Sequence, residues 1–371
     1  MTNNLVIFTM VVLIAIFGTL FTFDTWQTIL FVAFTLICVS YIIILGLDKL
    51  TTINYTPIRE GFTTIMDDDT DETHDVDNID TSKASKTQKD TSEAKKSKYE
   101  WLTNEDLFDD FYASIFTKLT QNEKLIEAET AICMEEFTKK IDKDNLSILD
   151  AACGIGIGTA SFAKLGAGSV VGVDKSQAMI RYAKGTTLPN TTLTETQRQN
   201  VEFRQLDLLR PDTASPAEFT SACLLYFSVY YFPDLDMLFR NLHLWIKPGG
   251  TLAIEVVNKY KFEPVLDSAN PWIGFSPQKY SKERINKSNV VFDKFDYQAV
   301  FELDDPTAEF RETFRFKDGS VRRQKHTLYM PSIPDIIKKA QNVGFTYTKY
   351  VDLTPFSFPY GYILFFNRND E

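Results

Sequence analysis

The stretch ILDAACGIGIGTASF, residues 148–162, decides the fold. Its apolar run ends in an acid, Asp150, and then breaks into alternate glycines at Gly154, Gly156 and Gly158. Small residues after a strand let backbone amides and the next helix N-terminus approach a ligand closely, because glycine tolerates such contacts and dihedral angles. The stretch therefore predicts a cofactor loop between a strand and a helix.

The spacing of these glycines argues against two common nucleotide loops. The third small residue of the dinucleotide pattern G-x-G-x-x-G falls at Thr159, so that pattern is not met. No G-K-[ST] follows the glycines, so the phosphate-binding P-loop is not met either. A nucleotide-containing cofactor of another kind remains.

Two more acids end the next two predicted strands. Asp174 follows SVVGV, and its carboxylate is suited to accept both hydroxyls of a ribose. Asp207 follows VEFRQL, where a carboxylate can receive the exocyclic amine of adenine. A helix cap or a turn is the alternative role for each acid. Together with Asp150 they predict a nucleoside site at the carboxyl edge of a parallel sheet.

The remaining pattern places this loop in an α/β domain. Two helical segments precede it, and strand-like runs alternate with helical segments up to Val257, which is typical of a parallel sheet. Period-two alternation around a KDGS turn then predicts an antiparallel β insertion over residues 259–330. A helix and two strands follow, so we predict a Rossmann-like mixed sheet flanked by helices.

Four segments resemble the motifs of class I S-adenosylmethionine-dependent methyltransferases. They are LDAACGIGIG (149–158), VVGVDKSQAMI (170–180), RQLDLL (204–209) and FPDLDMLFRNLHLWIKPGGTLAIEVV (232–257). Ala152 stands where the first motif usually has glycine. The resemblance covers roughly residues 99–367. It implies a seven-stranded sheet with one antiparallel strand, S-adenosylmethionine as cofactor, and transfer of its methyl group to a nucleophile.

The resemblance also implies which residues hold the cofactor, with Met179 packed on adenine. The predicted cofactor-binding residues are Asp150, Ala152, Gly154, Gly156, Asp174, Lys175, Met179, Asp207, Leu208 and Tyr226.

Methyl transfer from a sulfonium mainly requires alignment of donor and nucleophile, and a base is needed only if the acceptor must lose a proton. The candidate catalytic residues are Tyr112, Tyr231 and His326, although helix packing for Tyr112 and a structural hydrogen bond for His326 are open alternatives. An aromatic wall over an apolar or cationic acceptor, or packing in the core, is expected for Tyr226, Phe227, Tyr230 and Tyr231.

The composition disfavours nucleic acid and metal as partners. The chain of 371 residues carries a formal charge of -11, whereas phosphate recognition depends on lysine and arginine. Its four cysteines lack CxxC spacing and its histidines number three, so no zinc or disulfide framework is evident. We expect neither nucleic acid nor metal at the site.

Two nearly charge-free apolar stretches open the chain, Leu5–Phe23 and Ile29–Leu47. Each approaches the ~20 residues that a bilayer core requires, which predicts a transmembrane helical hairpin within residues 1–50. A cleaved signal peptide is the alternative, but the start MTNN has no basic region and a second span follows. Residues 51–98 are rich in Asp, Thr, Ser and Lys and predict a disordered charged linker.

The charges beside the second stretch predict the orientation. Lys49 and Arg59 follow it, whereas the short loop between the stretches carries only Asp24, so both ends are expected in the cytosol. The sequence thus predicts an integral membrane protein whose methyltransferase domain, residues 99–371, acts on a small-molecule, lipid or quinone-like acceptor at the membrane surface. Protein methylation, or an inactive methyltransferase fold that serves as a membrane scaffold, are the alternatives.

Overall fold

The computed structural model describes residues 101–104, 106–120, 122–264 and 285–369. The predicted membrane hairpin and the predicted charged linker lie outside these residues. Among the helices that are described, none combines the length and the apolar character that crossing a bilayer requires.

In the described chain, helices precede the first strand and lie between later strands. The α-helices are α1 (Asp110–Thr120), α2 (Glu123–Phe137), α3 (Ile157–Lys164), α4 (Gln177–Tyr182), α5 (Leu188–Asn190), α6 (Glu195–Gln199), α7 (Leu235–Trp245) and α8 (Ile333–Asn342). The strands are β1 (Ser147–Ala151), β2 (Ser169–Asp174), β3 (Val201–Gln205), β4 (Phe219–Leu224), β5 (Ile246–Val257), β6 (Lys287–Val291), β7 (Phe295–Asp304), β8 (Thr307–Phe316), β9 (Val321–Tyr329), β10 (Phe345–Asp352) and β11 (Gly361–Arg368).

The main sheet has seven strands in the order β10–β11–β5–β4–β1–β2–β3. Strand β11 runs antiparallel to both of its neighbours, and the pairs from β5 through β4, β1 and β2 to β3 are parallel. This confirms the predicted Rossmann-like mixed sheet with flanking helices. Because β1 lies between β2 and β4, the strand order reverses there, and a ligand crevice is expected at the carboxyl ends of these strands.

A second sheet of four antiparallel strands, β6–β7–β8–β9, lies in the chain between β5 and α8. These strands fall within the segment for which the sequence predicts an antiparallel insertion. Phe301, Ala308 and Leu328 of this sheet belong to the same buried cluster as Leu224 of β4 and Ile254 of β5. The insertion therefore shares one hydrophobic core with the main sheet.

Strand β4 ends earlier than the sequence predicts. The apolar run suggests a strand over residues 222–226, whereas β4 spans Phe219–Leu224. Tyr226 and Phe227 have φ angles of 49° and 60°. A strand cannot continue through this left-handed backbone, which is rare outside glycine. The chain therefore turns sharply at the carboxyl edge, where the ligand crevice is expected.

Two carboxyl groups lie in the core beneath this edge, on Glu129 of α2 and Glu255 of β5, with exposed fractions of 0% and 1%. Burial raises the pKa of both groups, and repulsion from the Glu255 carboxylate raises the pKa of Glu129 further. The folded chain therefore favours the protonated form of this carboxyl pair.

This pair should make stability depend on pH. Since the pKa values of these groups are raised in the folded state, their stabilising contribution is present at low pH and is lost as the pH rises through those folded values. We expect the thermal midpoint of the wild-type chain to fall more between pH 5 and pH 8 than that of Glu255→Gln. Glu135→Gln, at an exposed site on α2, is the control, and an equal fall in all three proteins would contradict the expectation.

Candidate functional site

The glycine loop connects β1 to α3 through left-handed backbone. Ala152, Gly154 and Gly156 have φ angles of 57°, 54° and 79°. The amide of Cys153 donates to the Val173 carbonyl at 3.0 Å, which ties the loop to β2. Gly156 caps the N-terminus of α3. The loop is thus held at the carboxyl edge, and the φ of Ala152 accounts for the glycine that the family motif usually has there.

Asp174 fixes the outer side of this loop. Its Oδ2 accepts the Gly154 amide at 2.9 Å, and its Oδ1 accepts the Ser176 amide at 2.8 Å. Burial raises the pKa of this carboxyl group. A carboxylate oxygen can accept more than one hydrogen bond, so both oxygens retain capacity for the hydroxyls of a ligand.

Asp150 lies differently from Asp174, although both acids end predicted strands. Its Oδ2 accepts from Thr159 Oγ1 at 2.6 Å, and its Oδ1 accepts from Cys223 Sγ at 3.7 Å. A Cβ added at Gly158 would lie 3.1 Å from Asp150 Oδ2. Burial raises the pKa of Asp150 to about 6. The carboxylate therefore anchors the first turn of α3 from below, and the closeness of Gly158 accounts for the third glycine of the motif.

Asp207 lies at the end of β3, where the sequence predicts the adenine end of the site. Its Oδ1 accepts the Leu209 amide at 3.0 Å, and Lys175 Nζ lies 3.4 Å from its Oδ2. Met179 of α4 and Leu208, which follows Asp207, are buried, with 2% and 3% of their surface exposed. A cavity of about 280 Å³ opens here, lined by Lys175, Gln205, Leu206, Asp207, Arg210, Asp212 and Thr213.

A hydrogen-bonded chain joins both sheets on the other side of the crevice. Tyr231, in the turn after β4, has its hydroxyl 2.7 Å from His326 Nδ1 on β9. His326 Nε2 lies 2.5 Å from Glu312 Oε2 on β8. These hydrogen bonds bring together two of the three predicted catalytic residues, Tyr231 and His326. Glu312 is the third, buried member of this hydrogen-bonded series.

Glu312 is the member of this series that sequence reasoning missed. Tyr297 Oη donates to its Oε1 at 2.6 Å, and Gln324 Nε2 donates to its Oε2 at 2.6 Å. Burial acts to raise the pKa of Glu312, but His326 and these hydrogen bonds outweigh it, so the pKa lies below its usual value. The sequence contains a signal for this role. Glu312 is a charged residue at an inward-facing position of an alternating strand, between the apolar residues Ala308, Phe310 and Phe314.

Aromatic rings surround this histidine. The rings of Tyr112 on α1 and of Phe108 lie 5.7 Å and 5.9 Å from the His326 ring. The pKa of Tyr112 is raised by burial and by the Glu312 charge. Tyr230, in contrast, is a core residue whose Oη accepts the Val257 amide at 2.8 Å, so it does not line an acceptor pocket.

The segment before α1 connects these two halves of the site. Ser176 Oγ donates to the Phe108 carbonyl at 2.6 Å. Arg322 of β9 donates to Asp109 Oδ2 at 2.7 Å and to the Leu107 carbonyl at 3.0 Å. Phe108 therefore lies between the Asp174 turn and the His326 cluster. Over the described ranges, no group of three or more His, Cys, Asp or Glu residues has an arrangement that could hold a metal ion.

Comparison with known proteins finds a family match over the segment that contains the glycine loop. Residues 148–250 match the protein-family model described as a methyltransferase domain. The chain is similar to the mitochondrial ubiquinone biosynthesis O-methyltransferase of Dictyostelium discoideum, with 25% identity over 122 residues, which are 31% of this chain and 36% of the relative.

A second relative and a solved structure agree. Phosphoethanolamine N-methyltransferase 3 of Arabidopsis thaliana is 25% identical over 195 residues, 52% of this chain and 36% of the relative. The chain thus spans about a third of the length of these curated relatives. The CcbJ methyltransferase of Streptomyces caelestis has the same fold, with a TM-score of 0.52 and 13% identity over 71% of this chain and 98% of that one. Both relatives are named as methyltransferases, and the solved structure shows a shared fold.

The residues around the glycine loop fit S-adenosylmethionine as cofactor. A Cβ added at Gly154 would meet no atom within 4 Å, so the loop faces open space where a ligand can approach. The Asp174 carboxylate, which accepts the Gly154 amide, has the acceptor chemistry that a ribose diol requires. The open side of the loop and the carboxylate beside it therefore suit an adenosyl group.

Two glycine substitutions should separate binding from folding. At Gly156 an added Cβ would lie 2.7 Å from Phe203 Cε1 and 2.9 Å from Ala183 Cβ, so Gly156→Ala should destabilise the fold by a few kcal/mol. At Gly154 alanine meets no clash and costs about 1–2 kcal/mol of backbone strain. We expect Gly154→Ala to stay folded but to lose cofactor binding, as measured by thermal unfolding and by titration with S-adenosylmethionine. Full binding by Gly154→Ala would contradict the placement of the cofactor against this loop.

Proposed function

We propose that this chain transfers a methyl group from S-adenosylmethionine to a small-molecule, lipid or quinone-like acceptor at a membrane surface. The observation that carries the proposal is the Asp174 carboxylate, which joins the glycine loop to the turn after β2 at the carboxyl edge of the sheet. The match of residues 148–250 to a methyltransferase domain supports it.

In this proposal the cofactor lies across the ends of β1, β2 and β3. Gly154 and Gly156 give close backbone approach, and Asp174 accepts the ribose hydroxyls. Asp207 and Lys175 contact the adenine end, with Met179 and Leu208 behind it, while Ala152 and Tyr226 border the loop on the acceptor side. Asp150 acts from beneath by holding α3. When bound, S-adenosylmethionine supplies an electrophilic methyl group, and its sulfur leaves with the bonding electron pair as a neutral thioether.

The acceptor is proposed to lie beside Tyr112, Tyr231 and His326. Two observations support a small molecule: relatives are named for ubiquinone biosynthesis and for phosphoethanolamine, and the aromatic rings around His326 suit an organic group better than an extended peptide. These residues orient the nucleophile, because alignment is the main requirement of an in-line displacement.

The membrane location is part of the same proposal. It is supported by the apolar stretches Leu5–Phe23 and Ile29–Leu47 and by the basic residues that follow them, which favour a catalytic domain in the cytosol. A tethered domain has a high effective concentration at its own membrane, which favours membrane-borne acceptors.

The proposal is tested by following labelled methyl groups. The purified full-length chain in detergent is incubated with methyl-labelled S-adenosylmethionine and, separately, with the lipid, small-metabolite and protein fractions of the native cell. We expect label in a lipid or small-metabolite product, and none with Asp174→Ala. Label in the protein fraction alone, or no label from a chain that binds the cofactor, would contradict the proposed acceptor class or the transfer itself.

A further inference from the structure

The series Tyr231–His326–Glu312 has a defined hydrogen-bond direction. Glu312 is completely buried, and Tyr297, Gln324 and His326 surround its two oxygens with donor groups, so it is a carboxylate that only accepts hydrogen bonds. His326 Nε2, which lies 2.5 Å from Glu312 Oε2, therefore carries a proton. In the neutral imidazole Nδ1 is then an acceptor, and the Tyr231 hydroxyl at 2.7 Å donates to it.

This direction determines what Tyr231 can offer to a ligand. A hydroxyl has one proton and two lone pairs, and the Tyr231 proton is engaged by His326. Toward any other group its oxygen can only accept a hydrogen bond. Tyr231 is half-buried, whereas His326 and Glu312 have exposed fractions of 2% and 0%, so Tyr231 is the end of the series that a ligand can reach.

We propose that Tyr231, His326 and Glu312 form a proton relay, and that the methyl acceptor is accordingly a group with a removable proton, an O–H or an N–H. This inference rests on the proposed function and narrows its acceptor class. Thioethers, pyridine-type nitrogens and other nucleophiles without a proton present no donor to Tyr231 and have no use for the relay.

The relay accounts for every proton. The acceptor proton passes to Tyr231 Oη as the Tyr231 proton passes to His326 Nδ1, and the electron pair freed on the acceptor oxygen or nitrogen forms its new bond to the methyl carbon. His326 becomes an imidazolium beside the Glu312 carboxylate, so a buried site with one negative charge becomes neutral overall. Low polarity favours that change. After the product leaves, His326 returns its proton to solvent through Tyr231.

Glu312 is a positioning residue in this scheme, because it acts through His326. Gln324 Nε2 donates to Glu312 Oε2, and Arg322 Nε in turn donates to Gln324 Oε1 at 2.8 Å. Tyr297 holds the other carboxylate oxygen. These donors keep the carboxylate ionised and in place, which fixes the imidazole tautomer much as the aspartate of a Ser-His-Asp triad does.

The tautomer can be read directly by nitrogen NMR on the full-length chain in detergent, labelled with ¹⁵N-histidine. The chain has three histidines, and His74→Gln and His243→Gln leave the His326 resonances assigned. In the resting chain we expect a proton on His326 Nε2 and a hydrogen-bonded, unprotonated Nδ1. Tyr231→Phe should shift the Nδ1 resonance, whereas Tyr230→Phe should not. A proton on Nδ1, or no response to Tyr231→Phe, would overturn the relay.

The product of the labelling experiment tests the acceptor class. We expect the methyl group on an oxygen or nitrogen that carried a proton before transfer, whereas a sulfonium, a methylated pyridine-type nitrogen or a methylated carbon would overturn the inference. The ¹⁵N resonances of His326 can be recorded without the methyl donor or the methyl acceptor. An inactive chain would therefore count against the proposed function, whereas the His326 resonances would still test the relay.

Discussion

Replacement of Asp174 by alanine is expected to lower the affinity for S-adenosylmethionine by roughly 100-fold or more. Charge-assisted hydrogen bonds contribute about 1.5–3 kcal/mol each, and 1.4 kcal/mol corresponds to a tenfold change in affinity. The variant loses the acceptor for the ribose hydroxyls and also the contact that orders the Gly154 amide. Equilibrium dialysis with labelled cofactor measures the effect.

The matched control for this substitution is Asp318→Ala. The Asp318 carboxylate also accepts the amide two residues further along, at 2.8 Å from Ser320 N, but it lies in the turn between β8 and β9. Its loss should leave cofactor affinity unchanged. Equal affinities of the wild-type chain and Asp174→Ala would show that the ribose does not bind at this carboxylate.

The second large effect is expected at Tyr231. Removal of a general base typically lowers a rate by roughly 100-fold to 10,000-fold, so Tyr231→Phe should reduce kcat by that order while cofactor affinity is retained. The pKa of the Tyr231 hydroxyl is raised by burial and by the Glu312 charge, so the residue stays protonated and passes a proton on rather than binding as an anion. Single-turnover transfer of labelled methyl groups into the acceptor fraction measures this rate.

The control at the neighbouring position is Tyr230→Phe, which removes a buried hydroxyl that bonds to the Val257 amide and leaves His326 untouched. It should lower the thermal midpoint but preserve kcat in the folded protein. A Tyr231→Phe variant that binds cofactor and transfers methyl groups at the wild-type rate would eliminate Tyr231 from the chemistry.

The centre of the main sheet was predictable because β1 and β2 are short, largely apolar runs that end in a small residue and in an acid. The roles of the acids in these runs were less predictable. Asp150 and Asp174 follow the same kind of run, yet Asp150 is directed into the core toward Thr159, whereas Asp174 accepts backbone amides at the loop. The strand register accounts for the difference, because Asp150 pairs with Gly172, so Asp174 lies two residues further toward the carboxyl edge of the sheet.

The relay was only partly predictable, since its members come from distant parts of the chain. Tyr231 stood out as part of an aromatic run and His326 as one of three histidines, but their contact depends on how the second sheet packs on the first. Glu312 reads as an ordinary surface acid until strand β8 is assigned. The alternation of β8 then places this charge on the buried face, where an unpaired carboxylate would be costly, so a partner such as His326 is required.

Calorimetric titration of the purified full-length chain with S-adenosylmethionine, and with its product S-adenosylhomocysteine, tests the central claim most directly. Saturable binding of both compounds at one site is the predicted result. No heat of binding from a chain whose cooperative thermal unfolding shows it to be folded would contradict the assignment of this loop to a methyl donor.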